Sequence, residues 1–113
     1  MFKMEPVMYF VVNDTLKMGK GKISAQVAHA AIAIFRKHPD TPLFRKWDHG
    51  CNAKVVLKAS QEQLLALADK YSHISKLIRD QGRTQVEPGS FTVLGFNVME
   101  KDSNPDLVQL KLL

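Results

Sequence analysis

The chain has 113 residues and 12.7 kDa, 45% hydrophobic and 24% charged, which fits one globular domain and excludes a fibre or a disordered tail. Its one cysteine, Cys51, excludes an internal disulfide and a thiolate zinc cluster, and suits a reducing, cytoplasmic setting. The net charge of +5 is uneven: residues 1–58 carry ten Lys/Arg against four acids and residues 59–113 six against seven, which points to an anionic partner, nucleic acid first.

Residues 7–12 form a continuous β-prone apolar run, the pattern of a strand covered on both faces. The run is far too short for a bilayer span and has no signal-peptide cleavage site, so neither membrane insertion nor Sec-type export is expected. A loop over residues 13–21 follows, with Lys20 between Gly19 and Gly21. Residues 22–37 then read as a helix, with Ile23, Val27, Ala30 or Ala31, and Ile34 at three- and four-residue spacing and further Ala and Ile making it apolar almost all round. His38-Pro39 ends it. Residues 38–53 read as an irregular connection, residues 54–58 as a second strand, and Ser60 with Gln63 as a capping box opening a second helix. Residues 74–79 and 91–96 read as two more strands around a polar loop, residues 80–89. From Asn97 the tail is ambiguous: Pro105 breaks any long helix, and residues 107–113 read as a short strand or a docked coil.

Strands alternating with helices indicate an α/β domain with helices on both sheet faces, where ligands gather outside the carboxyl ends of parallel strands. If the first and third strands run parallel, residues 17–22 and 80–85 share one edge. Lys17, Lys20 and Lys22 around two glycines before a helix read equally as an anion site or as a solvated turn. Lys22, Gln26 and His29 follow at i, i+4 and i+7, a polar stripe on an apolar helix, although His29 alone is more simply a solvent-facing residue. Asp80-Gln81-Gly82-Arg83-Thr84-Gln85 has the composition of a turn, yet a carboxylate beside cations can also orient water. Cys51 reads as a buried structural thiol, Trp47 as core cover, and His38, His49 and His73 lack metal-ligand spacing.

The run Lys17-Met18-Gly19-Lys20-Gly21-Lys22-Ile23-Ser24-Ala25-Gln26-Val27-Ala28-His29-Ala30 and the run Leu77-Ile78-Arg79-Asp80-Gln81-Gly82-Arg83-Thr84-Gln85-Val86-Glu87-Pro88-Gly89 resemble the archaeal and eukaryotic (type 2) peptidyl-tRNA hydrolases. So do Lys54-Val55-Val56-Leu57-Lys58 and the ending Leu110-Lys111-Leu112-Leu113. The resemblance covers nearly the whole chain. It implies a single-domain, three-layer α/β/α fold over residues 1–113 with a four-stranded mixed sheet. It also implies an enzyme that cleaves the ester between a peptide and the 3′ end of tRNA, recycling tRNA from aborted translation.

The catalytic residues it implies are Lys22, Gln26, Asp80 and Thr84. In that assignment Asp80 orients water, Thr84 bonds water or substrate, Lys22 holds the oxyanion or terminal phosphate, and Gln26 positions the ester. Lys17, Lys20, His29 and Arg83 are the implied substrate-binding residues, the cations meeting tRNA phosphates. Ala28 and Gln81 depart from the Ser and Ala usual in the family, and residues 102–105 interrupt what is normally a helix. No cofactor and no metal of the protein's own is expected, and the partner is peptidyl-tRNA, with room for a homodimer and none for a membrane. The rivals are a non-catalytic RNA-binding module and a protein-interaction adaptor. The intact Lys22, Gln26, Asp80 and Thr84 set weighs against the first, and the lack of a long extension before Met8 against the second.

Overall fold

The first strand, β1 (Pro6–Asn13), lies at the centre of the sheet in a computed structural model that describes residues 4–81 and 89–113. Its side chains alternate between two cores, as a period of two requires. Val7, Tyr9 and Val11 join Leu64, Leu67 and Leu107, whereas Met8, Phe10 and Val12 join Ala30, Ile34 and Trp47. An apolar run without polar alternation is thus the run of a strand buried on both sides.

β2 (Lys54–Ala59) pairs parallel with β1, from Met8 opposite Lys54 to Asn13 opposite Ala59. β4 (Phe91–Phe96) is antiparallel both to β1 and to β3 (Ser75–Arg79), which makes β3 parallel to β1. The carboxyl ends of β1, β2 and β3 therefore share one edge, as the strand reading requires. The sheet has six strands instead of the expected four. β5 (Met99–Glu100) pairs with the start of β1 and β6 (Lys111–Leu112) with β2, giving the order β3-β4-β1-β2-β6 with β5 aside. Each added strand has two residues, too few for an alternation to register in the sequence.

Helix α1 (Lys20–Lys37) starts two residues earlier than the pattern suggested, because Gly19 serves as its N-cap. It presses on β4 at Gly95, where a Cβ would lie 3.2 Å from Ile34 Cγ1 and 3.3 Å from the Ala30 Cβ. The helix is not apolar-packed all round. Ala25, Ala28, His29, Ile32 and Phe35 are exposed, and only Ala30 and Ile34 are fully buried.

The expected irregular connection holds a helix, α2 (Pro42–His49). Thr41 caps it by accepting from the Phe44 amide at 3.1 Å, and Pro42 occupies the first turn, where a missing N–H costs nothing. α2 buries Trp47, whose Nε1 donates to the Ala53 carbonyl at 2.8 Å, while Cys51 is exposed rather than buried. α3 (Gln61–Lys70) opens with the capping box complete in both directions between Ser60 and Gln63. The tail holds no long helix, and Pro105 opens a single turn: α4 (Pro105–Val108) is capped by Asn104, whose Oδ1 accepts from the amides of Asp106 and Leu107. No described helix is long and apolar enough to cross a membrane.

Candidate catalytic site

At the carboxyl edge of the sheet the backbone is pinned by Asn13, the last residue of β1 and only 1% exposed. Its Nδ2 donates to the Phe91 carbonyl at 2.8 Å and to Gln61 Oε1 at 3.1 Å, and its Oδ1 accepts from the Thr15 amide at 3.1 Å. Thr15 Oγ1 in turn accepts from the Gln61 amide at 2.9 Å. One buried side chain thus joins the end of β1, the start of β4, the start of α3 and the 3-10 turn (Asp14–Leu16) that leads to α1. Buried polar groups are found bonded because an unpaired one costs roughly 1–3 kcal/mol, and here both amide hydrogens and the carbonyl oxygen are engaged in positioning the edge.

Beyond that turn Lys17 takes a left-handed conformation, φ 50°, and pairs with Asp14 at 3.1 Å on the surface. Lys20 is exposed at the first position of α1. Lys22, two residues on, turns inward. Its Nζ donates to Asp80 Oδ1, and the two side chains are only 7% and 2% exposed. Asp80 follows the end of β3, and its backbone is fixed on both sides. Its amide donates to the Ser90 carbonyl at 2.8 Å, and its carbonyl accepts from the Gly89 amide at 2.9 Å. Gly89 has φ +83°, a conformation L side chains rarely adopt.

One turn along α1, Gln26 Oε1 accepts from Thr92 Oγ1 at 2.6 Å, and Thr92 is fully buried in β4 with the Ile78 carbonyl 3.4 Å away. With Oε1 held, the amide Nε2 is the end left to donate outward. The structure therefore brings together Lys22, Gln26 and Asp80, from a helix and a strand 54 residues apart between Gln26 and Asp80. His29 does not join them. At 3.6 residues per turn, i+4 rotates about 40° one way from Lys22 and i+7 about 20° the other. Gln26 is carried toward the sheet and His29 away from it, onto the exposed face beside Arg36. Arg83 and Thr84 lie outside the described residues.

Two residues of this edge escape a sequence reading. Thr92 looks like an ordinary β-branched strand residue, and Asn13 like a stop signal after an apolar run. The only signal is that each is a polar residue directly against a buried apolar segment.

Chemically, the pair is a buried carboxylate held by a buried ammonium, an arrangement whose desolvation makes it weak as a source of stability but apt for acting on a neutral, polarisable substrate. A carboxylate can orient water, an ammonium can face a developing oxyanion, and an amide N–H can hold a carbonyl or ester oxygen. Among the described residues no three His, Cys, Asp or Glu side chains stand close enough to hold a metal ion.

The family model described as Peptidyl-tRNA hydrolase PTH2 matches residues 6–113. A Homo sapiens protein named Peptidyl-tRNA hydrolase 2, mitochondrial is 44% identical over 96 residues, which is 78% of this chain and 52% of that protein. The Peptidyl-tRNA hydrolase of Thermoplasma acidophilum is 36% identical over 101 residues, 84% of this chain and 86% of the relative. That of Methanococcus maripaludis is 39% identical over 110 residues, 91% of this chain and 95% of the relative. The chain thus spans about half the length of the mammalian relatives it matches and nearly all of the archaeal ones.

Proposed function

Because the chain belongs to the type 2 peptidyl-tRNA hydrolase family, we propose that it hydrolyses the ester joining a peptide to the 3′ end of tRNA. The observation that carries this reading is the buried Lys22–Asp80 pair with the Gln26 amide one turn away, at the carboxyl edge of parallel strands. Water adds to the ester carbonyl carbon, the C–O bond to the ribose breaks, and the products are the peptide acid and a tRNA with a free hydroxyl.

In this scheme Asp80 orients the attacking water and Lys22 faces the oxyanion of the tetrahedral intermediate. Gln26 donates from Nε2 to the ester, its orientation fixed by Thr92. Thr84 bonds water or substrate. Lys17, Lys20 and Arg83 meet phosphates near the 3′ end, and His29 meets the RNA from the outer face of α1. No step calls on a metal. The two cores on alternate residues of β1 support a three-layer α/β/α reading, and residues 1–113 act as one domain.

Turnover of a purified peptidyl-tRNA decides between this and the two rivals. Release of free tRNA that falls with Asp80→Asn or Gln26→Ala supports the enzyme. Tight tRNA binding without release would leave an RNA-binding module, and neither would leave an adaptor.

A further inference from the structure

On the face of the sheet that carries α1 and α2, α1 lies over β3, β4 and β1, and α2 over β1 and β5. The β2–β6 edge of that face carries an unusual juxtaposition. Lys58 of β2 and Lys111 of β6 are directly opposed in register, and Leu57 opposite Leu112 fixes the pairing. Like charges facing each other directly across a strand pair are destabilising. Among the described residues neither lysine makes an ion pair or side-chain hydrogen bond, and the one carboxylate lining the same groove, Asp14, is paired with Lys17 at 3.1 Å. The groove, about 290 Å³, lies at the strand ends and also takes in Ser60, Gln109 and, from the α3 side, Ala59, Gln63 and Leu110.

The position of the pair supplies the second half of the argument. Lys58 stands opposite Val12, one residue from the carboxyl end of the parallel strands, so it lies at the same end of the sheet as Lys22 and Asp80. In the order β3-β4-β1-β2-β6, strand spacings of about 4.8 Å put β2 about 14 Å and β6 about 19 Å from β3, the strand that delivers Asp80. Lys17 follows the short turn after β1, the strand between β4 and β2, and Lys20 opens α1.

We propose that Lys58 and Lys111 form a phosphate-binding pair at the β2–β6 edge, which seats the backbone of the tRNA beyond its 3′ end. This rests on the hydrolase reading and extends it. The exposed Lys20 and Lys17, with Lys58 and Lys111, track one strand of RNA backbone along the sheet edge beyond the Lys22–Asp80 pair and read no bases. That suits a protein that handles many tRNAs.

The test is binding of deacylated tRNA by fluorescence anisotropy across a range of salt concentrations. It compares the wild-type chain, Lys58→Gln with Lys111→Gln, and Lys58→Arg with Lys111→Arg. The glutamine double variant is expected to bind at least about fivefold more weakly at low salt, with the salt slope reduced by about 1.4 to 1.8, while the arginine double variant keeps both. Should the glutamine double variant fail to fold, each single variant is expected to lose about half of that slope. Unchanged affinity and slope in a folded glutamine variant would overturn the proposal, as would equal weakening by arginine. If wild-type protein binds tRNA but releases none from peptidyl-tRNA, the hydrolase reading falls and the binding comparison still decides this one. If wild-type protein binds no tRNA, both fall.

Discussion

Replacing Lys22 by Met separates what the buried ion pair does for folding from what it does for chemistry. The carboxylate of Asp80 is 2% exposed and sits on a short side chain that cannot reach out to water. Breaking a buried pair by removing one partner costs about 3–5 kcal/mol, and for a chain of this length 1 kcal/mol corresponds to about 4 °C in Tm. Lys22→Met is therefore expected to lower Tm by about 12–20 °C. Adding Asp80→Leu removes the buried carboxylate as well, and the double variant should recover part of the loss, because paired apolar replacements of buried ion pairs are often neutral or stabilising. Turnover should follow a different course. It falls at least tenfold in Lys22→Met, about 1.4 kcal/mol of barrier, and does not return in the double variant. Circular dichroism melts and single-turnover hydrolysis at a temperature where all variants are folded read the two quantities separately. A double variant no more stable than Lys22→Met would refute the burial argument, and one with wild-type turnover would remove both residues from the mechanism.

Thr92→Val removes the hydroxyl that orients Gln26 and keeps the β-branched shape; losing the buried bond should cost about 1–3 kcal/mol, about 4–12 °C in Tm, while kcat at a temperature where both are folded drops several-fold; an unchanged kcat would end the positioning role. The Asp106 carboxyl is held below its ordinary value by hydrogen bonds from Lys70 and Tyr71, so its stabilisation is present above the usual carboxylate range and lost as pH falls through the lower folded value. The stability deficit of Asp106→Asn should accordingly be full at neutral pH and shrink as acidification carries the solution below the usual carboxylate range, and a deficit constant with pH would contradict the pairing. Lys17→Ala with Lys20→Ala should raise the apparent KM for several unrelated peptidyl-tRNAs alike, and a salt slope equal to wild type would show that these lysines only solvate a turn. Hydrolysis of pre-folded substrate should persist in excess chelator, and loss restored by one divalent ion would require a metal site.

Much of the fold can be read from local signals that coincide with tertiary demands. The run at residues 7–12, the Ser60–Gln63 box and the 91–96 strand each carry their cue within a few residues, and each appears where the cue places it. α2 was hidden by its prolines: Pro39 and Pro42 look like a loop, yet one follows the end of α1 and the other sits in the first turn of α2 after a Thr cap. The two-residue strands have no period at all. At the site, Lys22 and Gln26 are legible because a helix spaces them, and Asp80 because it ends a strand. Thr92 is not, since only the packed structure shows which face of β4 meets α1. The stripe through His29 splits because i+4 and i+7 rotate in opposite senses from Lys22, so Gln26 and His29 stand about 60° apart, one toward the sheet and one toward solvent.

Asn13 has a consequence for how the chain finds its native register. A strand with one polar face is kept in place by water, because a slip of one residue would expose its apolar side chains. β1 lacks that safeguard: both of its faces are apolar, and a one-residue slip would merely exchange the occupants of two greasy compartments. The polar residue at the end of the run supplies the missing reference mark. Its amide fits one address, between Phe91, Gln61 and Thr15, and a shifted strand would leave that amide stranded among apolar groups. The side chain that frames the site is thus also the one that tells the central strand which way is up.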